Sequence, residues 1–170
     1  SACPEDNPHL YAAGSKMIFE STRVDGASSA CKADAEHKSL WFSQKVGQRW
    51  TAPTLIAGAP NAGDKNTQPW VDEDQGYLYW TADSECACIR RVAWIHDAPQ
   101  GAYETVITPA IGELTTGTAD GKVVFVGEFS QSDSHAFFAC AKARKMGDGL
   151  DPSLFMGTWE IDVDLCVAPR

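Results

Sequence analysis

Apolar and polar residues alternate over short stretches of this chain, and aromatic and β-branched residues are concentrated in those stretches. The clearest is residues 89–96, which read Ile-Arg-Arg-Val-Ala-Trp-Ile-His. Side chains two apart on a strand share a face, so we predict a strand on which Trp94 and His96 project together. Similar patterns predict short strands at residues 17–19, 39–43, 76–81, 122–126 and 136–139.

Polar turns separate these stretches. Residues 69–76 and 118–121 each place an Asp shortly before a Gly, and Gly supplies the positive φ that hairpin turns need. Helix-forming residues are numerous only at 27–36, where a wide apolar face is lacking. The pattern therefore predicts an all-β protein of mainly short antiparallel strands with much coil and at most one or two short helices.

The length of 170 residues suits a single domain. We expect a turn-rich segment at residues 1–16, held by Cys3 rather than by a strand of its own, to wrap a β-rich body of residues 17–170. The first residue is Ser, not Met, which suggests a removed leader or a trimmed chain. No apolar run reaches the roughly 18 residues of a membrane span.

Acidic residues outnumber basic ones, with 23 Asp and Glu against 14 Lys and Arg and a formal net charge of −9. Such a charge repels a phosphate backbone and an anionic membrane. We therefore expect no nucleic-acid partner.

The chain has six cysteines, none of them in a CxxC pair: Cys3, Cys31, Cys86, Cys88, Cys140 and Cys166. This number favours three disulfides and an exported protein, with a thiolate metal cluster as the alternative. Cys86 and Cys88 share a strand face and would reach two different partners more readily than each other. We favour Cys3 with Cys31, because both lie in the N-terminal segment, which leaves Cys86 and Cys88 to pair with Cys140 and Cys166.

Only four histidines are present: His9, His37, His96 and His135. His135 lies at the edge of the predicted strand at 136–139, so two imidazoles from two strands could converge. Without a nearby thiolate, a pair of imidazoles suits a copper ion of low coordination number better than a closed tetrahedral zinc site. The alternative interpretation is that Trp94 belongs to the core and His96 bonds to backbone.

The Trp-Ile-His motif in an exported, disulfide-linked β protein with a further downstream histidine resembles the surface-associated copper-binding proteins of methane-oxidising bacteria, MopE and CorA. The resemblance implies that Trp94 is oxidised to kynurenine and binds copper(I) together with His96 and His135. His37 or His9 could take the place of His135. We expect a monomeric, non-enzymatic protein that is either secreted or held at the bacterial outer surface.

The chemistry agrees with that assignment. An indole nitrogen is only a donor, so an intact Trp cannot bind a metal through it, whereas kynurenine carries an aniline-type amine that can. A site that holds one oxidation state tightly favours copper acquisition or storage over turnover.

Residues 68–81 and 116–126 are similar to the PD40 or TolB-type β-propeller repeat, which runs proline, strand, Asp-Gly turn, strand. At about forty residues per blade the chain would hold only about four blades, the low end for propellers. The resemblance implies an irregular, partial propeller-like architecture.

Acidic residues cluster in several places. Asp72, Glu73 and Asp74 precede Gly76, and further carboxylates occur at Asp148, Asp151, Glu160, Asp162 and Asp164. Such groups bind Ca²⁺ when loop carbonyls converge with them, so we expect a structural calcium ion first at Asp72 and Asp74. The alternative is solvated charge that protects turns and strand edges.

Two other function classes stay open. No Gly-x-Ser-x-Gly, HExxH, GxGxxG or P-loop motif occurs, although a carboxylate pair such as Glu104 with Glu113 would suit a secreted hydrolase. Six tryptophans could form a sugar-stacking platform of a carbohydrate- or protein-binding module, although burial in the core explains most of them better.

Overall fold

A computed structural model describes residues 3–26, 30–32, 37–61, 65–82, 88–107, 122–131, 135–145 and 159–169, the last three segments as backbone strands. Their strands are β1 (Glu5–Tyr11), β2 (Lys16–Ser21), β3 (Ser39–Val46), β4 (Arg49–Trp50), β5 (Thr54–Leu55), β6 (Asn66–Asp72), β7 (Tyr77–Ala82), β8 (Cys88–Ile95), β9 (Ala98–Ile107), β10 (Lys122–Gln131), β11 (His135–Lys145) and β12 (Trp159–Pro169). The described helix is a 3-10 turn at Ala59–Asn61. The prediction of an all-β fold is confirmed.

Every pair of neighbouring strands is antiparallel. The first sheet runs β1-β2-β3-β4, with β5 also paired to β3; the second runs β6-β7-β8-β9; the third runs β10-β11-β12. The second sheet is a four-stranded meander, which is the arrangement of a propeller blade. The described sheets differ in strand number and do not close into a ring.

The first two sheets share one hydrophobic core. It contains Ile18 of β2, Leu40 of β3, Trp80 of β7 and both Val92 and Trp94 of β8. Each large side chain removed from water stabilises the fold by about 1.5–3 kcal/mol. This shared core packs β1 and β2 against β6, β7 and β8.

Two Pro residues enter strands at bulges, and this corrects two sequence predictions. Residues 5–11 form β1 instead of part of a turn-rich wrap, and residues 69–72 belong to β6, so the predicted turn at 69–76 begins only at Glu73. Asn7 and Gln68, which precede the two prolines, have φ of 47° and 51°, and the strand registers shift there. A bulge leaves one residue unpaired, so a strand can tolerate the missing N–H of Pro.

A buried carboxylate holds the second bulge. Glu20 of β2 is only 1% exposed, and it accepts hydrogen bonds from the Gln68 backbone N–H at 2.7 Å and from Lys38 Nζ at 2.6 Å. Burial lowers the pKa of Lys38, but hydrogen bonds to Asp6 and Glu20 outweigh that effect and raise it. Glu20 therefore links the first sheet to the second.

The other predicted strands occur where expected, and most are longer. Residues 17–19, 39–43, 122–126 and 136–139 lie in β2, β3, β10 and β11, and the alternating carboxylates at 160–164 lie in β12. The strand predicted at 76–81 is β7, which has the same length but begins one residue later because Gly76 belongs to the turn. The strand predicted at 89–96 ends one residue early, at Ile95. His96 and Asp97 have φ of 52° and 62° and form a two-residue hairpin turn.

The predicted pairing of Cys3 with Cys31 is confirmed. Cys88 is fully buried and is also disulfide-bonded, while its pairing with Cys140 or Cys166 stays a prediction. Residues 118–121, Asp148 and Asp151 lie outside the described residues, as does most of the segment 27–36.

Candidate functional site

Three hairpin turns meet around a cleft of about 260 Å³. They are the β1–β2 turn at residues 12–15, the β6–β7 turn at residues 73–76 and the β8–β9 turn at residues 96–97. In an antiparallel meander, alternate turns lie at the same end of the sheet, so β6–β7 and β8–β9 are neighbours. The shared core brings the β1–β2 turn to that end.

Hydrogen bonds join the three turns to one another. The Ala12 N–H donates to Glu73 Oε2 at 2.9 Å, and the Trp94 N–H donates to the Gly76 carbonyl at 2.7 Å. Lys16 Nζ lies 2.7 Å from Asp97 Oδ2. These contacts each cross between different hairpins, so they hold the cleft in a defined shape.

Trp94 forms one wall of the cleft through a chain of hydrogen bonds. Its side chain is 7% exposed, and its indole Nε1–H donates to Tyr11 Oη at 3.3 Å. Tyr11 donates in turn to Asp97 Oδ1 at 3.0 Å, and Lys16 Nζ lies 2.9 Å from the same oxygen. Burial raises the pKa of Tyr11, so its hydroxyl keeps its proton at neutral pH and serves as a donor.

His96 lines the same cleft, but it reaches the cleft from the turn instead of from the strand. Its side chain is exposed. The prediction that Trp94 and His96 share one strand face is therefore wrong, because the strand ends at Ile95 and His96 lies in the turn. Both residues nevertheless line the same cleft.

His9 lies on the other side of Tyr11. Its ring stacks on Tyr11 with 6.3 Å between ring centroids, and it meets Trp70 edge-on at 6.0 Å. Burial lowers its pKa, and a hydrogen bond to the Val71 backbone and the charge of Glu73 offset part of this effect. A neutral imidazole at neutral pH is the form that binds metals.

The other two histidines lie elsewhere. His135 begins β11, where its backbone pairs with Pro169, and its side chain lies outside the described part of the structure. His37 precedes β3 and is partly buried. The structure thus brings Trp94 and His96 to one cleft, while the place of His135 in that site stays a prediction.

The carboxylates around the cleft do not gather at one point. Asp72 is buried, and its Oδ1 accepts the backbone N–H groups of Asp74 and Gln75, which shapes the β6–β7 turn. Within the described residues, no three His, Cys, Asp or Glu side chains form a group that could hold a metal ion. Calcium at Asp72 and Asp74 stays a prediction.

The cleft carries a negative charge. Asp72, Glu73 and Asp97 line it together with one ammonium group, that of Lys16. Opposite charges attract over several ångströms at a partly buried surface. The cleft therefore favours a cation over an anion.

Sequence reasoning missed Tyr11, Lys16 and Asp97. The residues of the Tyr11–Trp94 pair are 83 positions apart, and only the packing of the two sheets brings them together. The one available signal was Gly14, which marks a hairpin turn directly after Tyr11.

Comparison of the chain with protein-family models, with curated proteins and with solved structures finds no match. Among the described residues, no helix has both the length and the apolar character needed to cross a membrane. The chemistry of the cleft therefore has to be inferred from its own residues.

Proposed function

We propose that this protein binds copper(I) for copper acquisition or storage at the cell surface. The ligands are the aniline-type amine of a kynurenine formed from Trp94, the imidazole of His96 and a second imidazole. The observation that supports this best is that Trp94 and His96 line the same cleft.

The surroundings of Trp94 fit a modified residue. An intact indole cannot bind a metal through nitrogen, and the nitrogen of Trp94 is directed towards the polar Tyr11 hydroxyl. Conversion to kynurenine takes up dioxygen and water and releases formate, so the residue gains one oxygen atom and loses one carbon atom. The carboxylates around the cleft then favour the approach of a metal cation.

The second imidazole is that of His135, as the sequence resemblance implies, or that of His9. The position of His9 beside Tyr11 and its lowered pKa support the alternative. Two histidines and an amine would give the low coordination number that copper(I) accepts.

Mass measurement tests the modification. Protein purified from its native host should give a Trp94 peptide with one oxygen more and one carbon fewer than the sequence requires, and the peptides of Trp41 and Trp80 should be unmodified. An unmodified Trp94 peptide would contradict the kynurenine site.

Copper binding by variants tests the ligands. Native-host protein should hold one copper(I) against a competing chelator, and His96→Ala should weaken its affinity by at least about tenfold. His135→Ala, His9→Ala and His37→Ala then identify the second ligand, because only the variant that lacks it should lose affinity as His96→Ala does. Copper retained at full affinity by His96→Ala would contradict the assignment.

Carbohydrate binding is a second candidate, because Trp50 on β4 is 40% exposed and lies opposite Lys45 in the hairpin register. Exposed aromatic rings stack on the apolar faces of sugars. Glycan-array binding that Trp50→Ala abolishes and His96→Ala leaves intact would favour this function.

A further inference from the structure

The buried tryptophans differ in what their indole nitrogens meet. The Nε1 atoms of Trp41 and Trp80 are buried and have no hydrogen-bond partner in the described part of the structure. The Nε1 of Trp94 donates to the Tyr11 hydroxyl. Of these three core residues, Trp94 alone has a described partner at its nitrogen.

That partner leads on to a carboxylate. Tyr11 donates its own proton towards Asp97 Oδ1 at 3.0 Å, and Lys16 lies against both oxygens of Asp97. The indole N–H, the phenol O–H and the carboxylate therefore form a continuous path for one proton. The Asp97 side chain, at the end of the path, is 23% exposed, so it can pass a proton on to water.

Such a path changes how easily an indole loses an electron. Removal of one electron makes the indole N–H strongly acidic. If that proton cannot leave, a positive charge stays buried without compensation, which is costly in a core. Trp41 and Trp80 face this cost, whereas Trp94 does not.

We propose that Tyr11 and Asp97 direct one-electron oxidation to Trp94 by accepting the proton that its indole loses. The oxidant, a soluble one-electron acceptor, takes the electron; the Nε1 proton moves to Tyr11 Oη as the Tyr11 proton moves to the Asp97 carboxylate. The products are a neutral indolyl radical, a protonated Asp97 and the reduced acceptor. This inference rests on the proposed conversion of Trp94, of which it is the first step, and it concerns the protein before any metal binds.

The experiment uses the full chain, unmodified and free of metal, with hexachloroiridate(IV) as the oxidant in aerated buffer. Peptide mapping measures the loss of each unmodified tryptophan. Trp50 is the internal reference, because its exposed ring can release a proton to water. Trp94 should be lost faster than Trp41 and Trp80, and Tyr11→Phe should lower the Trp94 rate relative to Trp50 by at least about tenfold.

Two further variants separate proton transfer from packing. Tyr79→Phe removes the hydroxyl of a different buried tyrosine, which lies on β7 of the second sheet. It should leave the ratio of the Trp94 rate to the Trp50 rate unchanged. Asp97→Asn keeps a hydrogen-bond acceptor but cannot take the proton, so it should lower the ratio as Tyr11→Phe does. Loss of Trp94 in the wild type should be slower in D₂O than in H₂O, because a proton moves with the electron, and Asp97→Asn should abolish this difference.

The proposal would be overturned if Tyr11→Phe or Asp97→Asn had the same ratio of Trp94 rate to Trp50 rate as the wild type. Oxidation that stops at Tyr11 would overturn it as well. The assay contains no copper. If the protein does not bind copper, the preferred oxidation of Trp94 can still be observed. If Trp94 is not oxidised in preference to Trp41 and Trp80, the copper measurements on native-host protein remain valid.

Discussion

His96 is exposed to the cleft because of its backbone conformation. Its φ of 52° and that of Asp97, 62°, place both residues in the left-handed region, where hairpin turns of this type prefer Asn followed by Gly. A residue held in an unfavourable conformation at a cleft is typical of a functional position. The cost of that conformation can be measured.

Replacement of His96 by Asn should stabilise the protein, by about 0.5 kcal/mol, because Asn adopts positive φ more easily. Urea denaturation of the metal-free protein measures the change in the free energy of unfolding. The same variant should lose copper affinity. A loss of stability would show that the His96 side chain contributes packing that the exposed turn does not reveal.

His9 makes stability depend on pH. Its pKa is lowered in the folded protein by burial, while in the unfolded chain it takes up a proton near its ordinary value of about 6.5. As the pH falls through that value, the unfolded state binds more protons, so the free energy of unfolding decreases.

His9→Phe should keep the ring contact with Trp70 and remove this part of the pH dependence. Urea unfolding between about pH 7 and pH 5, with any metal chelated, gives the slope of the free energy of unfolding against pH for the wild type and for His9→Phe. Carboxylates that titrate in this range contribute to both proteins equally, so equal slopes would contradict a lowered pKa of His9.

Among the strands, the sequence predicted the positions of those whose apolar and polar residues alternate. Alternation placed strands within β2, β3, β7, β8, β10 and β11. It failed where Pro enters a strand, because a bulge at Asn7 or Gln68 depends on what the neighbouring strand supplies. For Gln68 this is the carboxylate of Glu20, 48 residues away. The sequence did not predict Tyr11 as a site residue for the same reason, because Tyr11 reaches Trp94 only through the packing of two sheets.

Glu20→Ala should destabilise the protein by about 3 kcal/mol, because it leaves Lys38 and the Gln68 N–H without their buried partner. Chemical denaturation measures the loss. Asp6→Ala is the matched control, since Asp6 is the exposed partner of the same lysine and such pairs contribute at most about 1 kcal/mol. Similar losses in both variants would show that Glu20 does not link the sheets.

At the scale of the whole molecule, the N-terminal strand is fixed from two sides. The Cys3–Cys31 disulfide closes a loop with a sequence separation of 28 residues, and β1 carries Tyr11 into the cleft. Closing a loop of this length stabilises a protein by roughly 3–4 kcal/mol.

The double variant Cys3→Ser, Cys31→Ser should therefore lose roughly 3 kcal/mol of stability. Because β1 is then less constrained, the Trp94 indole should also show faster hydrogen exchange. Calorimetry and exchange measurements on the variant test both effects. Unchanged exchange at Trp94 would mean that β1 is held by its sheet contacts alone.

The three turns around the cleft also make the site easy to redesign. Turn residues can change with little effect on the sheets that carry them, and each turn supplies its own group to the cleft. The first supplies the Ala12 N–H, the second Glu73, and the third His96 and Asp97. A library that varies residues 12–15, 73–76 and 96–97 would present new binding surfaces on a constant scaffold, as the loops of an antibody domain do.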